Sequence, residues 1–294
     1  MKRRDVLNGL AALTGLALLP TARARAATVT GPRTVVLDWG LAETLLALGA
    51  TPVGMAEIEG YQASVVAPAV PGNVTDVGLR LTPSLELIQQ LRPDLILINA
   101  SQHEQRAVLE RIAQVQAPAI YTETGDPYRR SVAITRALGQ SLGCSERAEA
   151  LIEQTRDCLA TCARQLQGHR SPVYLLQFFD PLHMGVYGAR SLFGDVLTQL
   201  GLDNAWQKPT DYWGIAVAGL EDLAARPDAN VLYFGNLPPA LASGLTANRV
   251  WQALPQVRSG RVGALPPFWG FGMLPSAMRF AESLSTALQR MTRP

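Results

Sequence analysis

Few side chains in this 294-residue chain could do chemistry, and they are cationic or aromatic, not nucleophilic. Arg80 stands in the extended stretch Asp76-Val77-Gly78-Leu79-Arg80-Leu81-Thr82-Pro83. A guanidinium is permanently charged and presents its donors as a rigid planar fork, which suits an oxygen-rich ligand in a cleft. The plainer alternative is a surface Arg paired with a local carboxylate. Trp39, Tyr212, Trp213, Trp269 and Phe271 stand near loops that follow strands or close a lobe, where ligands bind in open α/β sheets, and they suit an amphipathic pocket wall. Trp206 and Trp251 read as core. The constellations of catalysis are missing: no Gly-x-Ser-x-Gly elbow, no Walker loop and no His-Glu-x-x-His. His103, His169 and His183 are isolated, and His183 reads as a hydrogen-bonded structural residue before a metal ligand. The chemistry expected is binding, with no catalytic residue, no resident cofactor and no direct metal ligand.

A phrase occurs twice. Leu85-Glu86-Leu87-Ile88-Gln89-Gln90-Leu91-Arg92-Pro93-Asp94-Leu95-Ile96-Leu97-Ile98 returns as Leu220-Glu221-Asp222-Leu223-Ala224-Ala225-Arg226-Pro227-Asp228-Ala229-Asn230-Val231-Leu232-Tyr233. Each copy predicts a short helix with an exposed Glu near its start, stopped by an Arg-Pro-Asp corner and followed by a buried strand. A strand and a helix ending in Leu-Gly precede each copy. Two similar α/β lobes follow, with a cleft between them and a partner that reads Glu86 and Glu221 together.

The ends bound the setting. Residues 1–26 carry a basic start at Lys2-Arg3-Arg4, an apolar run from Val6 to Leu19 too short to span a bilayer, and a small-residue cleavage site at Ala24-Arg25-Ala26. Arg3-Arg4-Asp5-Val6-Leu7 fits a twin-arginine export signal, with an ordinary secretory signal as the alternative. No Cys lies near the cleavage site, so the expectation is a soluble periplasmic protein without a lipid anchor. Removing Lys2, Arg3, Arg4, Arg23, Arg25 and Asp5 turns the net charge of +2 into about −2. With no basic run after Ala27, nucleic-acid binding is not expected. Cys144, Cys158 and Cys162 read either as free thiols or as one disulfide with one thiol left over.

The positioning elements alternate. Strands are predicted at 34–37, 52–55, near 75–77, at 95–99 and at 120–122, with helices at 42–48, 84–91 and 105–114 between them. The pattern is that of a parallel sheet covered by helices, over an N-terminal lobe of 27–127. A helical linker occupies 128–170. Its long helix, 145–167, has Ser145 as N-cap and reaches about 35 Å, enough to cross the back of both lobes. The C-terminal lobe fills 171–294. One packed helix resists wide closure, so only small hinge-limited movements are expected.

Taken as a set, these residues resemble a known family. Val35-Val36-Leu37-Asp38-Trp39-Gly40 with Glu43 to Gly49, Asp76 to Arg80, Pro83 to Leu87, Asp180-Pro181 with His183-Met184, Asn204 to Gln207, Tyr212-Trp213-Gly214, and Trp269 with Ser276-Ala277-Met278 look like the periplasmic iron–siderophore-binding proteins of ABC importers, the ferric-hydroxamate (ferrichrome-type) ones above all. The resemblance runs in order over nearly the whole chain after the leader. It implies the class III periplasmic-binding-protein architecture: two α/β lobes joined by a single long helix, with a shallow cleft. It implies that Arg80 bonds hydroxamate oxygens around Fe³⁺, that Trp39, Trp213 and Trp269 line the apolar side with Tyr212 and Phe271, and that Glu86 and Glu221 meet Arg residues of an inner-membrane ABC permease. The carrier would be a monomer. A tris-hydroxamate fills all six iron positions, so no protein ligand is required.

The chain departs from that pattern. Members place a Tyr in the loop after the strand at 95–98, where Gln102 stands here and is expected to contact the ligand in its place; an aromatic is missing near Ser64; and Phe271 replaces an expected Tyr. A different hydroxamate, a mixed catecholate–hydroxamate or a citrate-type complex would also suit such a pocket. The alternatives are a same-fold binder of haem or a corrinoid, with His103 or His183 as axial ligand, an exported enzyme, or a docking protein with no small ligand.

Overall fold

The computed structural model describes residues 31–292; the expected leader over 1–26 lies outside them. Two five-stranded sheets follow one another along the chain. The first is wholly parallel, in the order β3-β2-β1-β4-β5. Its strands are β1 (Thr34–Val36), β2 (Gly54–Met55), β3 (Thr75–Asp76), β4 (Leu95–Leu97) and β5 (Gln114–Gln116). The second has the order β10-β9-β6-β7-β8, from β6 (Val173–Phe178), β7 (His183–Tyr187), β8 (Ile215–Gly219), β9 (Asn230–Phe234) and β10 (Val262–Leu265). Here β6, β9 and β10 pair in parallel, while β7 pairs antiparallel with both β6 and β8.

The repeat has a topological meaning. Its first copy is helix α3 (Leu85–Leu91) leading into β4, which pairs parallel to the first strand of its lobe, β1. Its second copy is a 3₁₀ segment, Leu220–Ala225, leading into β9, which pairs in parallel with β6. Ser84 caps α3 by accepting from the Leu87 N–H at 3.3 Å, and Arg92 ends it in the left-handed region, φ 45°, directly before Pro93.

Helices α1 (Trp39–Ala47), α2 (Ile58–Ser64) and α4 (Arg106–Leu109) complete the first lobe. Helices α5 (Pro127–Ser141) and α6 (Ser145–Gln165) then connect it to the second, which holds α7 (Leu192–Gln199), α8 (Pro239–Ala247), α9 (Arg249–Ala253), α10 (Pro255–Arg258) and α11 (Leu274–Thr292). Near its start α6 reaches the first lobe, Arg147 donating to the Leu48 carbonyl at 3.2 Å; farther along, the Cys158 thiol lies 3.9 Å from the Met278 carbonyl of α11.

Several local expectations are corrected. No strand forms at 120–122, and the helix expected over 105–114 stops at Leu109. The fifth strand is β5, whose one buried side chain, Val115, stands between exposed or half-exposed Gln114 and Gln116, too short an alternation to read, and Pro118 ends it. Helix α2 was not anticipated. Trp39 opens α1 instead of standing in a loop. Cys144, not Ser145, is the N-cap of α6, with no side-chain bond, and the helix ends at Gln165, two residues short of 167. All three cysteines are free.

One apolar cluster binds the lobes. It runs from Val36, Leu41 and Leu45 through Leu151 and Leu159 to Phe193, Phe280 and Leu284. Wide opening would expose this shared core, which favours limited movement. At its centre Glu43 of α1, wholly buried, crosses to the start of α11: it accepts from the Met273 N–H at 2.5 Å and from the Ser276 hydroxyl at 2.7 Å. The carboxyl thus serves as an inter-lobe cap on a helix N-terminus. Burial is the largest influence and pushes its pKa up to about 7, against the bonds from Met273 and Ser276 and the charge of Arg279. Because the folded pKa lies above the unfolded one, this group's stabilisation is complete below about pH 4.5 and is lost as pH rises through about 7. The swing is on the order of 3 kcal/mol. Glu43→Gln, a neutral isostere whose oxygen can still accept from the Met273 N–H and whose amide can donate to the Ser276 hydroxyl, is expected to remove that part of the pH dependence. Melting curves between pH 5 and 8 would check it, and equal slopes in both proteins would contradict it.

Candidate ligand-binding cleft

Arg80 sits at the tip of a loop closed by the bridge between Gly78 and Pro83. Gly78 has φ +91°, a conformation that favours glycine, and Asp76 pins the entry by accepting its N–H at 2.8 Å. The arginine is fixed at three points. Glu57 accepts its backbone N–H at 3.0 Å and its Nε–H at 2.8 Å, and Gln102 donates to its carbonyl at 2.9 Å. Its guanidinium carbon lies 3.9 Å from the centre of the Trp39 ring and 4.6 Å from that of Trp269. Cation–π contact of this kind orients the fork and leaves its edge for a ligand.

The aromatic residues meet as expected, though not all as ligand wall. Trp39, 4% exposed, is a floor beneath Arg80, its indole N–H donating to the Ala56 carbonyl at 3.0 Å. Trp269 packs on Trp39 and on Phe271, with ring centres 4.7 and 5.2 Å apart. Phe271 meets Trp213 at 5.0 Å, which in turn meets Tyr212 at 5.2 Å. Trp213, Trp269 and Phe271 are half-buried. The Tyr212 hydroxyl is spent on the Tyr121 carbonyl at 2.6 Å, a clasp between the end of the first lobe and the second lobe. Buried Tyr121 donates to the Gly272 carbonyl at 3.0 Å and so fixes the segment carrying Trp269 and Phe271. Gly270 in that segment is held so close to Tyr187 that an added Cβ would lie 2.6 Å from its hydroxyl.

Gln102 is corrected. It is 1% exposed; its amide donates to the carbonyls of Leu37 and Arg80, both at 2.9 Å, and its oxygen accepts from the Asn99 N–H. It braces the Arg80 loop and has no group left for a ligand.

A cavity of ≈ 590 Å³ opens beside Trp269 and Phe271. Second-lobe residues Gln177, Phe179, Tyr187 and Asn236 line one side, and Ala63 and Ser64 of α2 approach from the first. Arg80 flanks this cavity through Trp269 and does not line it. Glu57, Tyr121 and the β6–β7 wall escaped the sequence reading. Glu57 lies in Ala56-Glu57-Ile58-Glu59 with no periodic signal, and Tyr121 read as one more strand residue. The histidines do not converge: His183 pairs with Asp180 at 2.9 Å on the surface, His169 meets the Asn230 amide, and neither they nor His103 line the cavity. Among the described residues no group of three His, Cys, Asp or Glu could hold a metal ion.

Comparison with known proteins agrees with this geometry. The family described as periplasmic binding protein matches residues 34–267. The iron(3+)-hydroxamate-binding protein FhuD of Escherichia coli is 34% identical over 281 residues, 94% of this chain and 95% of that protein. The Fe(3+) dicitrate-binding periplasmic protein FecB of the same organism is 26% identical, over 80% of this chain and 77% of that one. The structure of the siderophore-binding protein FhuD from Vibrio cholerae, bound to Fe3+–Desferal, superposes with a TM-score of 0.84 at 32% identity, covering 90% of this chain and all of the other.

Proposed function

The chain belongs to the periplasmic binding protein family, and from that premise we propose that it captures a ferric hydroxamate siderophore between its lobes and delivers it to an inner-membrane ABC permease for iron uptake. It is a substrate-binding protein of transport, not an enzyme. The observation that carries the substrate class is Arg80, clamped by Glu57 over two indoles at the edge of an aromatic cavity. Such a site offers fork-shaped donors for the oxygens of a chelate and ring faces for its organic scaffold. The iron arrives as cargo, already enclosed by its chelator. The Trp269 indole N–H is buried and has no acceptor among the described residues, a donor that is costly to leave unpaired.

Arg80, Trp213, Trp269 and Phe271 form the ligand surface in this reading, with Trp39 and Tyr212 behind it. Glu86 and Glu221 are the docking residues. Both are exposed, and both stand in the first turn of equivalent segments leading into β4 and β9. One carboxylate per lobe suits a permease built from two halves, each offering an Arg. The working protein is a monomer in the periplasm after removal of residues 1–26, without a lipid anchor. Calorimetric titration with a ferric and an iron-free tris-hydroxamate tests the substrate: the ferric form is expected to bind, and equal affinity for both would remove recognition of the metal-closed complex.

A further inference from the structure

We propose that Glu57 sets the charge class of the ligand: by neutralising Arg80 beside an uncharged cavity, it admits ferric complexes of no net charge and turns away anionic ones. The inference rests on the ferric-siderophore reading of the cleft.

The ion pair is built in by the backbone. Glu57 takes the left-handed conformation, φ 50°, in the turn before α2, and its own N–H donates to the Gly78 carbonyl at 2.9 Å. Its two carboxylate oxygens then divide between the N–H and the Nε–H of Arg80. The pair is about three-quarters buried on both sides, with side-chain exposures of 26% and 25%. Only the terminal amino groups of Arg80 remain without a partner among the described residues, so the fork donates hydrogen bonds but brings no net charge. One other cation stands against the cavity wall: Arg279 lies behind the Phe268 ring, 5.0 Å from its centre, donates to the Val65 carbonyl and is close enough to interact with Glu43. The ≈ 590 Å³ cavity has no charged residue in its lining. Beside Arg80 itself the further charge is acidic: Asp38, 3% exposed, accepts from the Leu41 N–H at 2.8 Å and the Asn99 amide at 2.6 Å and is close enough to interact with Arg80.

Chelate chemistry supplies the complement. Each hydroxamate loses one proton on binding iron, so three cancel the charge of Fe³⁺ and the complex is neutral. Citrate and catecholate complexes keep net negative charge. An anion approaching Arg80 meets the Glu57 carboxylate a few ångströms farther on, and in a half-buried site that repulsion offsets most of the attraction. A neutral chelate still gains the charge-assisted hydrogen bonds.

The test is a titration of Trp emission in the wild type, Glu57→Gln and Glu57→Asp, with ferrichrome as the neutral probe and ferric dicitrate as the anionic one. The wild type and Glu57→Asp are expected to bind ferrichrome and to hold ferric dicitrate at least about 100-fold more weakly. Glu57→Gln is expected to keep ferrichrome within about tenfold and to gain about tenfold or more for ferric dicitrate, a gain that salt screens away. Ferrichrome binding in Glu57→Gln with no gain for the anion would overturn the charge filter and leave the siderophore reading standing. If Glu57→Gln does not fold, the wild type decides alone, since equal affinity for the two probes overturns the proposal. A wild type that binds ferric dicitrate but not ferrichrome overturns it too, and the hydroxamate reading with it.

Discussion

Replacing Arg80 with Ala is expected to weaken binding of a ferric tris-hydroxamate by about 1.5–3 kcal/mol, roughly 10- to 150-fold. Three losses contribute. The ligand oxygens lose charge-assisted donors. The carboxylate of Glu57 loses the Nε partner at 2.8 Å and keeps only the backbone N–H. The Trp39 face, 3.9 Å beneath the guanidinium, is left bare. Stability should change little, because the loop keeps its Gly78–Pro83 bridge and the bond from Gln102 to the carbonyl of residue 80. Arg80→Lys should recover only part of the affinity, since an ammonium keeps the charge but not the planar fork. Calorimetry on the three proteins measures this directly, and unchanged affinity in Arg80→Ala would remove the residue from the site.

The second large effect is in cells. Glu86→Ala with Glu221→Ala is expected to leave siderophore affinity within about twofold and to reduce uptake by about tenfold or more. Each carboxylate is exposed and remote from the core, so neither substitution threatens the fold. A single exposed ion pair steers more than it holds, so each single variant should cost at most a few fold. The double variant loses both lobes' contributions to orientation. Uptake of labelled ferric siderophore in a strain relying on the variant reads the difference, and normal uptake by the double variant would end the docking assignment.

What the sequence made legible followed from strong local signals. The repeated Arg-Pro-Asp corner marked α3 and the Leu220–Ala225 segment because proline ends both. Long apolar periodicity marked α6 to within two residues. The edge strand β5 was not legible, because a three-residue strand with one buried side chain has no measurable alternation. At the site, Arg80 and the aromatic residues were visible by residue type. What they lean on was not: the Glu57 clamp bridges 23 residues, and the Tyr121 hydroxyl reaches a carbonyl 151 residues away. Gln102 was misread for a physical reason. An amide and a phenol at the same place in a loop suggest the same role, but the amide's two donors and one acceptor suit backbone groups, and the fold uses all three there.

The central claim is that the cleft holds a ferric hydroxamate against its indoles. The most direct test is the intrinsic Trp emission of the protein lacking residues 1–26, titrated with ferrichrome, the iron-free ligand, haem and a corrinoid, and corrected for optical absorption. Trp39, Trp213 and Trp269 all stand within the aromatic cluster, so a bound ferric complex would quench them. The account predicts saturable quenching by the ferric hydroxamate at sub-micromolar concentration, with a much weaker response to the other three. Saturable quenching by haem or the corrinoid alone, or by none of the four, would contradict it.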